Sequence, residues 1–357
     1  MFANFFLKSF RILLLPFSLL YWFVIYVRNR LYDIKLFQSV SFNLPLICVG
    51  NLSVGGTGKS PMVEYLVEHL SDKYKIAILS RGYKRKTKGY ALANENSTAL
   101  EIGDEPMQFY QKFSEVAVAV GEKRIEAIPQ LLHDRPGTEV IILDDAFQHR
   151  EIDPGLNILL TEFNNLFTRD FYLPSGDLRD LKSNYKRADI IIVTKCNPDL
   201  PEEEKKEIID EINPLDKQSI FFTCIEYGQL YHITNKHGFE VNKDTEVLLV
   251  TGIANPRPLK KLLETYCNSY SMLHYPDHHI FTIDDLNEIR TKFDGLNNGN
   301  KIIISTEKDA VRLVKFRSDI DELPFYIIPA RHHFLFGEEK RFNDLVNNFI
   351  VAFKRTA

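Results

Sequence analysis

Ser53-Val-Gly-Gly-Thr-Gly-Lys-Ser60 stands between an apolar run, residues 44–49, and a stretch in which Val63, Leu66, Val67 and Leu70 recur at helical spacing. Strand, glycine-rich loop, Lys-Ser and helix in that order read as a phosphate-binding loop. The glycines Gly55, Gly56 and Gly58 let the backbone curl until successive N–H groups aim at one anion. The helix start adds partial positive charge, Lys59 is placed to reach the β- and γ-phosphates, and Ser60 offers a hydroxyl to Mg²⁺. The residues expected to hold the nucleotide are therefore Ser53, Val54, Gly55, Gly56, Thr57, Gly58, Lys59 and Ser60. The first loop position is serine where the usual pattern has glycine, so a strand-to-helix turn that binds nothing is the plainer alternative. Pro61 fits the first helical turn, where its missing N–H costs little.

Outward from the loop, apolar runs alternate with helical patterns, which predicts a parallel sheet flanked by helices. Strands are expected at 44–49, 75–80, 116–120, 140–143, 157–160 and 190–194, with helices at 105–112 and 123–132. In open sheets of this kind, ligands sit at the carboxyl ends of the strands. A charged surface helix is expected at 202–212, then strands at 220–224 and 231–234 crossing to a second, smaller α/β unit. That unit should be built on strands 246–250, 271–274, 301–305 and 325–328. The predicted division is 1–36, an apolar N-terminal anchor; 37–230, a phosphate-loop core; and 231–357, the smaller unit.

The 357 residues are 45% hydrophobic and 26% charged with a formal net charge of -4, so nothing suggests a nucleic-acid partner. Cys48, Cys196, Cys224 and Cys267 are widely spaced, with no zinc pattern, and read as thiols in a reducing compartment. From Ile12 to Val27 there is no charge; Lys8 and Arg11 precede this run, and Arg28, Arg30 and Lys35 follow it. As a helix it spans roughly 24 Å, short of the ~30 Å hydrocarbon core. Tyr21, Trp22 and Tyr26 favour the headgroup layer. A signal peptide lacks its cleavage site here, and a buried core helix is the competing reading; a shallow membrane anchor on the cytoplasmic side fits the basic flanks best.

Several segments after strands carry candidate chemistry. Val140-Ile-Ile-Leu-Asp-Asp145 is an apolar strand ending in two carboxylates, and Asp144 and Asp145 are the expected Mg²⁺ partners downstream of a phosphate loop. Gln148, His149 and Arg150 should lie near the same edge. Arg81, in Ser80-Arg-Gly-Tyr83, is placed to meet an anion, although the segment also reads as a solvated turn. The basic run 84–88 is an exposed loop able to touch acidic headgroups. Asp104 in Gly103-Asp-Glu-Pro106 is a natural helix cap. Arg124 also begins a helix, and Leu173-Pro-Ser-Gly-Asp-Leu-Arg-Asp180 is a turn-rich loop bearing Arg179. Asp277-His278-His279 reads equally as a metal cluster, an acid/base site or a turn, and Thr306-Glu-Lys-Asp309 as a capped strand-to-helix turn.

Taken in order, 49–61, Ser80-Arg-Gly-Tyr83, Gly103-Asp-Glu-Pro106, Asp144-Asp145 with Gln148-His149, Asp277-His278 and Thr306-Glu-Lys-Asp-Ala310 closely resemble the tetraacyldisaccharide 4'-kinase family of lipid A biosynthesis. The resemblance runs over nearly the whole chain. Gly50-Asn51 before the loop and Pro61 after it are more particular to the family than a generic phosphate loop, and the family does not require glycine at the Ser53 position. The resemblance implies transfer of the ATP γ-phosphate to the 4'-hydroxyl of a tetraacylated disaccharide 1-phosphate, with Mg²⁺, at the cytoplasmic face of the inner membrane and without an obligate protein partner. It implies that Asp104 is the catalytic base, supported by His278, and that Arg124 and Arg179 help hold phosphates or sugar; Arg81, placed to meet an anion, is expected beside them as a substrate contact. Lys59 acts on the transferred phosphate, and Asp144 and Asp145 serve the metal. Asp180 stands where the family usually has glutamate, which leaves its role open. Asp104 and His278 fall on different units, so closure between units is expected to assemble them. The rival reading is a phosphate-loop switch NTPase or metallochaperone acting on a protein; Thr194-Lys195 hints at base reading, but no aspartate follows two residues later.

Overall fold

The computed structural model of the chain describes residues 11–356, the side chains of 354–356 excepted. Lys8, one of the expected basic flanks, lies outside the described residues. The larger lobe is a nine-stranded sheet in the order β15-β8-β7-β6-β1-β5-β2-β4-β3. Its parallel body comprises β1 (Leu46–Asn51), β2 (Ile76–Ser80), β4 (Ala117–Val120), β5 (Val140–Asp144), β6 (Leu156–Glu162), β7 (Ile190–Thr194) and β8 (Ser219–Tyr227). At the edges, β3 (Ala91–Leu92) and β15 (Ala330–Phe334) pair antiparallel with β4 and β8. All six residues of β1 are buried, as a strand covered on both faces requires.

Among the described residues, the helices of seven residues or more are α1 (Leu15–Asp33), α2 (Lys59–Leu70), α3 (Asp104–Lys112), α4 (Arg124–Asp134), α5 (Glu202–Ile212), α6 (Arg257–Tyr266), α7 (Ile283–Asp294), α8 (Glu307–Leu313) and α9 (Glu339–Thr356). Successive β1 side chains point to opposite faces. Ile47 and Val49 join the cluster that includes Met62, Val63 and Leu66 of α2; Leu46 and Cys48 join Ala127, Ile128 and Leu131 of α4. The four cysteines are free and buried.

The smaller lobe is a six-stranded sheet in the order β10-β9-β14-β13-β11-β12, from β9 (Leu230–His232), β10 (Gly238–Phe239), β11 (Glu246–Thr251), β12 (Ser269–His274), β13 (Lys301–Thr306) and β14 (Phe325–Ile328). The tail does not stay with it. After β14 the chain crosses back: β15 closes the edge of the large sheet, and α9 buries Phe342, Val346 and Ile350 against the face that α2 covers. The apolar stripe of α9 thus finds its partner in the nucleotide lobe, and residues 330–350 belong to that lobe by packing.

Helix α1 is apolar on the side that faces away from the protein. Its buried positions are Ser18, Ile25 and Asn29, whereas Phe17, Leu19, Leu20, Phe23 and Val24 are each more than half exposed. Ser18 Oγ donates to Ser175 Oγ at 2.8 Å and accepts from Ser175 N–H at 3.0 Å. Asn29 Nδ2 donates to Asp180 Oδ1 at 3.0 Å, and Arg150 donates to the Asn29 carbonyl and side-chain oxygens. No described helix is long and apolar enough to cross a membrane.

Candidate active site

The parallel body directs the carboxyl ends of β1, β2, β5, β6 and β7 to one edge, and the chain reverses direction across the sheet at β1. The phosphate loop leaves β1 there. Gly58, with φ +85°, forms the left-handed residue from which α2 starts, a conformation glycine takes without strain. Gly50, before the loop, has a different reason: a Cβ there would lie 2.5 Å from the Phe147 Cβ. Asn51 Nδ2 donates to Thr57 Oγ1 at 2.9 Å, so the family-like Gly50-Asn51 flank packs the strand end and braces the loop. Val54 N–H is fixed at 2.7 Å on the Asp177 carbonyl.

Asp144 and Asp145 end β5 beside the loop. Asp145 sits at φ +49°, a sparsely populated region for a residue with a side chain. Its carboxylate takes a bidentate grip from Arg179 and faces Lys59 Nζ at 3.7 Å. Arg179 also donates to Asn51 Oδ1 at 2.5 Å. Burial pushes the Asp145 carboxyl up, but Lys59 and then Arg179 outweigh it and bring it to about 2. Asp144 accepts from Ser80 Oγ at 2.7 Å; burial and the neighbouring Asp145 charge raise it to about 6. Two adjacent carboxyls are thus driven apart, one held charged and one poised near neutrality. Glu105 is close enough for its charge to raise Asp144 as well, which places the start of α3 near the loop.

Asp104, the first residue of α3, is buried and faces the smaller lobe. His278 Nδ1 lies 2.7 Å from Asp104 Oδ2, so the two lobes already bring this pair together. Arg312 of α8 binds the same carboxylate through both Nε, at 2.7 Å to Oδ1, and an η-nitrogen to Oδ2. Burial raises the Asp104 carboxyl, yet the His278 and Arg312 hydrogen bonds overcome it and hold the group below the usual carboxylate range. His278 has φ +65°, and Tyr83, after Ser80-Arg-Gly, lies edge-on to its ring. Sequence reading did not single out Arg312: it sits on an ordinary helix, and only the tertiary fold aims it at Asp104.

The Asp277-His278-His279 triplet diverges. Asp277 pairs with Lys308 at 2.7 Å, His278 with Asp104, and His279 with Asp285 at 2.9 Å in the cap of α7. It is an inter-lobe contact and a helix cap; among the described residues no group of His, Cys, Asp and Glu converges as a metal cluster. Thr306-Glu-Lys-Asp309 does more than cap α8. Asp309 accepts from the Thr251 hydroxyl and the Gly252 N–H, while Glu307 joins Glu64 of α2 around Lys112 of α3. Burial, with the Glu307 charge, lifts Glu64 to about 7.

The remaining candidates separate. Arg124 is fully buried, donating to the carbonyls of Gly121 and Asp144, and burial draws its guanidinium down to about 10. It braces the strand ends from beneath and presents no surface to a ligand. Arg81 is exposed at the same edge and makes no ion pair or hydrogen bond among the described residues. Gln148 donates to the Asn51 carbonyl; burial, then Arg124 and Arg81, depress His149 to about 4. Arg150 turns away from the edge to α1 and Asp33. Asp180 is a buried hub that accepts from Asn29, Asn184, Arg187 and the Leu181 N–H, fastening α1 to the lobe. Its position beside Arg179 thus serves architecture.

The arrangement has known counterparts. A family profile described as LpxK, tetraacyldisaccharide-1-P 4'-kinase, matches residues 10–350. The tetraacyldisaccharide 4'-kinase of Flavobacterium johnsoniae is 46% identical over 326 residues, covering 91% of this chain and 93% of the relative. That of Bacteroides thetaiotaomicron is 42% identical over 351 residues, covering 94% and 92%. The crystal structure of LpxK from Aquifex aeolicus in complex with ATP superimposes with a TM-score of 0.75 at 28% identity, covering 96% of this chain and 99% of that one. An α/β sheet flanked by helices and a second lobe are shared across that match, and the chain belongs to the tetraacyldisaccharide 4'-kinase family.

Proposed function

We propose that the chain transfers the γ-phosphate of ATP to the 4'-hydroxyl of a tetraacyldisaccharide 1-phosphate, a step of lipid A biosynthesis. The observation that carries this reading is the buried Asp104 at the start of α3, held by His278 and Arg312 beside the phosphate loop. A sugar hydroxyl is a poor nucleophile until its proton has somewhere to go. In the proposed step the 4'-oxygen forms a bond to the γ-phosphorus as the bond to the β–γ bridging oxygen breaks. ADP leaves, and the hydroxyl proton passes to Asp104. A carboxylate held below its usual range takes that proton late, once bonding to phosphorus has acidified it.

His278 and Arg312 act as positioning residues that fix the orientation of Asp104 and keep it ionised. Lys59 and the loop N–H groups hold the phosphates, and Arg179 keeps Asp145 in register with Lys59. The oxygen donors Ser60, Asp144 and Asp145 suit Mg²⁺, which keeps several waters and shares its ligands with phosphates. When bound, that ion neutralises charge on the β- and γ-phosphate oxygens. Arg81, the exposed cation at this edge, is proposed to meet a substrate phosphate.

The acceptor is a lipid, and the outward apolar side of α1 supplies contact with its bilayer. We place the enzyme at the cytoplasmic face of the inner membrane, seated by α1 without crossing. Replacing Phe17, Leu20, Phe23 and Val24 with serine should move the protein from the membrane to the soluble fraction. Its melting temperature should hold, because these side chains are already exposed. Unchanged sedimentation with membranes would count against the seat.

Incubation with γ-labelled ATP and purified tetraacyldisaccharide 1-phosphate tests the reaction. Label on the lipid supports it, and label released only as inorganic phosphate points to a hydrolytic NTPase. Arg312→Gln adds a pH readout. Removing the cation leaves His278 alone to oppose burial at Asp104, so the acid limb of kcat/KM should shift upward. A lower kcat on an unshifted profile would make Arg312 a structural residue only.

A further inference from the structure

We infer that His332, on the strand that returns from the smaller lobe, is a positioning residue for the phosphate loop that holds the Gly58 peptide so that the Lys59 N–H faces the nucleotide. The inference rests on the reading of the loop as the ATP site. His332 is 5% exposed, with Nε2 2.9 Å from the Gly58 carbonyl oxygen and Nδ1 2.9 Å from Thr223 Oγ1. A carbonyl only accepts, so the ring proton is on Nε2 and Nδ1 takes the Thr223 hydroxyl hydrogen. Burial drives the imidazole down to about 4, so one neutral tautomer is held at physiological pH.

The preceding carbonyl is held the same way: Thr194 Oγ1, at the end of β7, donates to the Thr57 oxygen at 2.9 Å. In a planar trans peptide the C=O and the following N–H point in opposite directions. Fixing the carbonyls of Thr57 and Gly58 inward therefore fixes the N–H groups of Gly58 and Lys59 on the other side, where an anion would sit. The loop needs such restraint, because the glycines that let it curl also let its peptides turn over. The Gly58 oxygen accepts one further bond, from Met62 N–H at 3.1 Å, which starts α2. The imidazole closes on the glycine itself: a Cβ on Gly58 would lie 3.0 Å from His332 Nε2.

The test compares His332→Ala and His332→Gln in the full chain, by calorimetric ATP binding and steady-state kinetics for both substrates. His332→Ala should weaken ATP binding about tenfold, the scale of losing one buried hydrogen bond, with the KM for the lipid within about twofold. His332→Gln carries a donor near the Nε2 position and should recover most of the affinity. Unaltered ATP affinity in a folded His332→Ala protein overturns the inference, as does equal weakening toward both substrates. Thr223→Val keeps the imidazole but removes its partner, and should weaken ATP binding two- to threefold, on the order of half a hydrogen bond; no change there also overturns it. ATP binding by the unaltered chain and by His332→Ala alike defeats this inference alone. Absence of ATP binding by the unaltered chain defeats the nucleotide reading of the loop as well.

Discussion

Asp104→Ala is expected to lower kcat by about 10³-fold, within the range of a lost general base, while ATP binds within about threefold of the original affinity. The separation follows from geometry. Asp104 touches the smaller lobe through His278 and Arg312, whereas the loop is braced by Asn51, Thr194 and the Arg179–Asp145 pair. Alanine also leaves the Arg312 guanidinium facing a buried gap. Asp104→Asn is therefore the cleaner partner variant, since its amide fills the space but accepts no proton. Both variants should lose turnover together. If the loss falls mainly in KM, Asp104 is a positioning residue or a helix cap, and the base must be sought elsewhere.

Lys59→Ala should reduce kcat/KM for ATP by about 10²- to 10³-fold, the effect of removing one charged donor from a preorganised phosphate site. The change reaches further than the missing ammonium. Lys59 is the largest influence opposing burial at Asp145, so without it that carboxyl rises and relies on Arg179 alone. The γ-label transfer assay at saturating lipid reads the loss directly. Near-normal turnover would refute the assignment of the loop.

The central strands were legible because each is a short apolar run bounded by turn formers, a pattern that local chemistry dictates. The expected runs at 140–143 and 190–194 match Val140–Asp144 and Ile190–Thr194 nearly residue for residue. The return of the chain was not legible. In β15, Ala-Arg-His-His-Phe does alternate, with His332 and Phe334 inward and Arg331 and His333 outward. An inward histidine, however, carries no hydrophobic signal, so the period of two is hidden. The polar inner side of α1 was equally hidden, since Ser18 is a minor interruption of an apolar run and Asn29 sits in its basic flank, and their partners lie more than a hundred residues away. At the site, the loop and the paired carboxylates could be read locally. The Asp104–His278 pair came from family resemblance. Arg312 and His332 came from neither, because their meaning exists only once distant elements meet.

That return sets the order in which the protein can be completed during synthesis. The smaller lobe is one continuous segment, from β9 to β14, whose strands all find their partners within it. The nucleotide lobe begins first on the ribosome and finishes last. Its edge strand and the Phe342–Val346–Ile350 stripe emerge only after the whole smaller lobe. A nascent chain lacking them exposes the apolar surface over α2 and lacks one support of its phosphate loop, a state prone to association. Competence to bind nucleotide should therefore arrive only once β15 and α9 have emerged, and deletion of these two elements should cost folding yield before it costs chemistry.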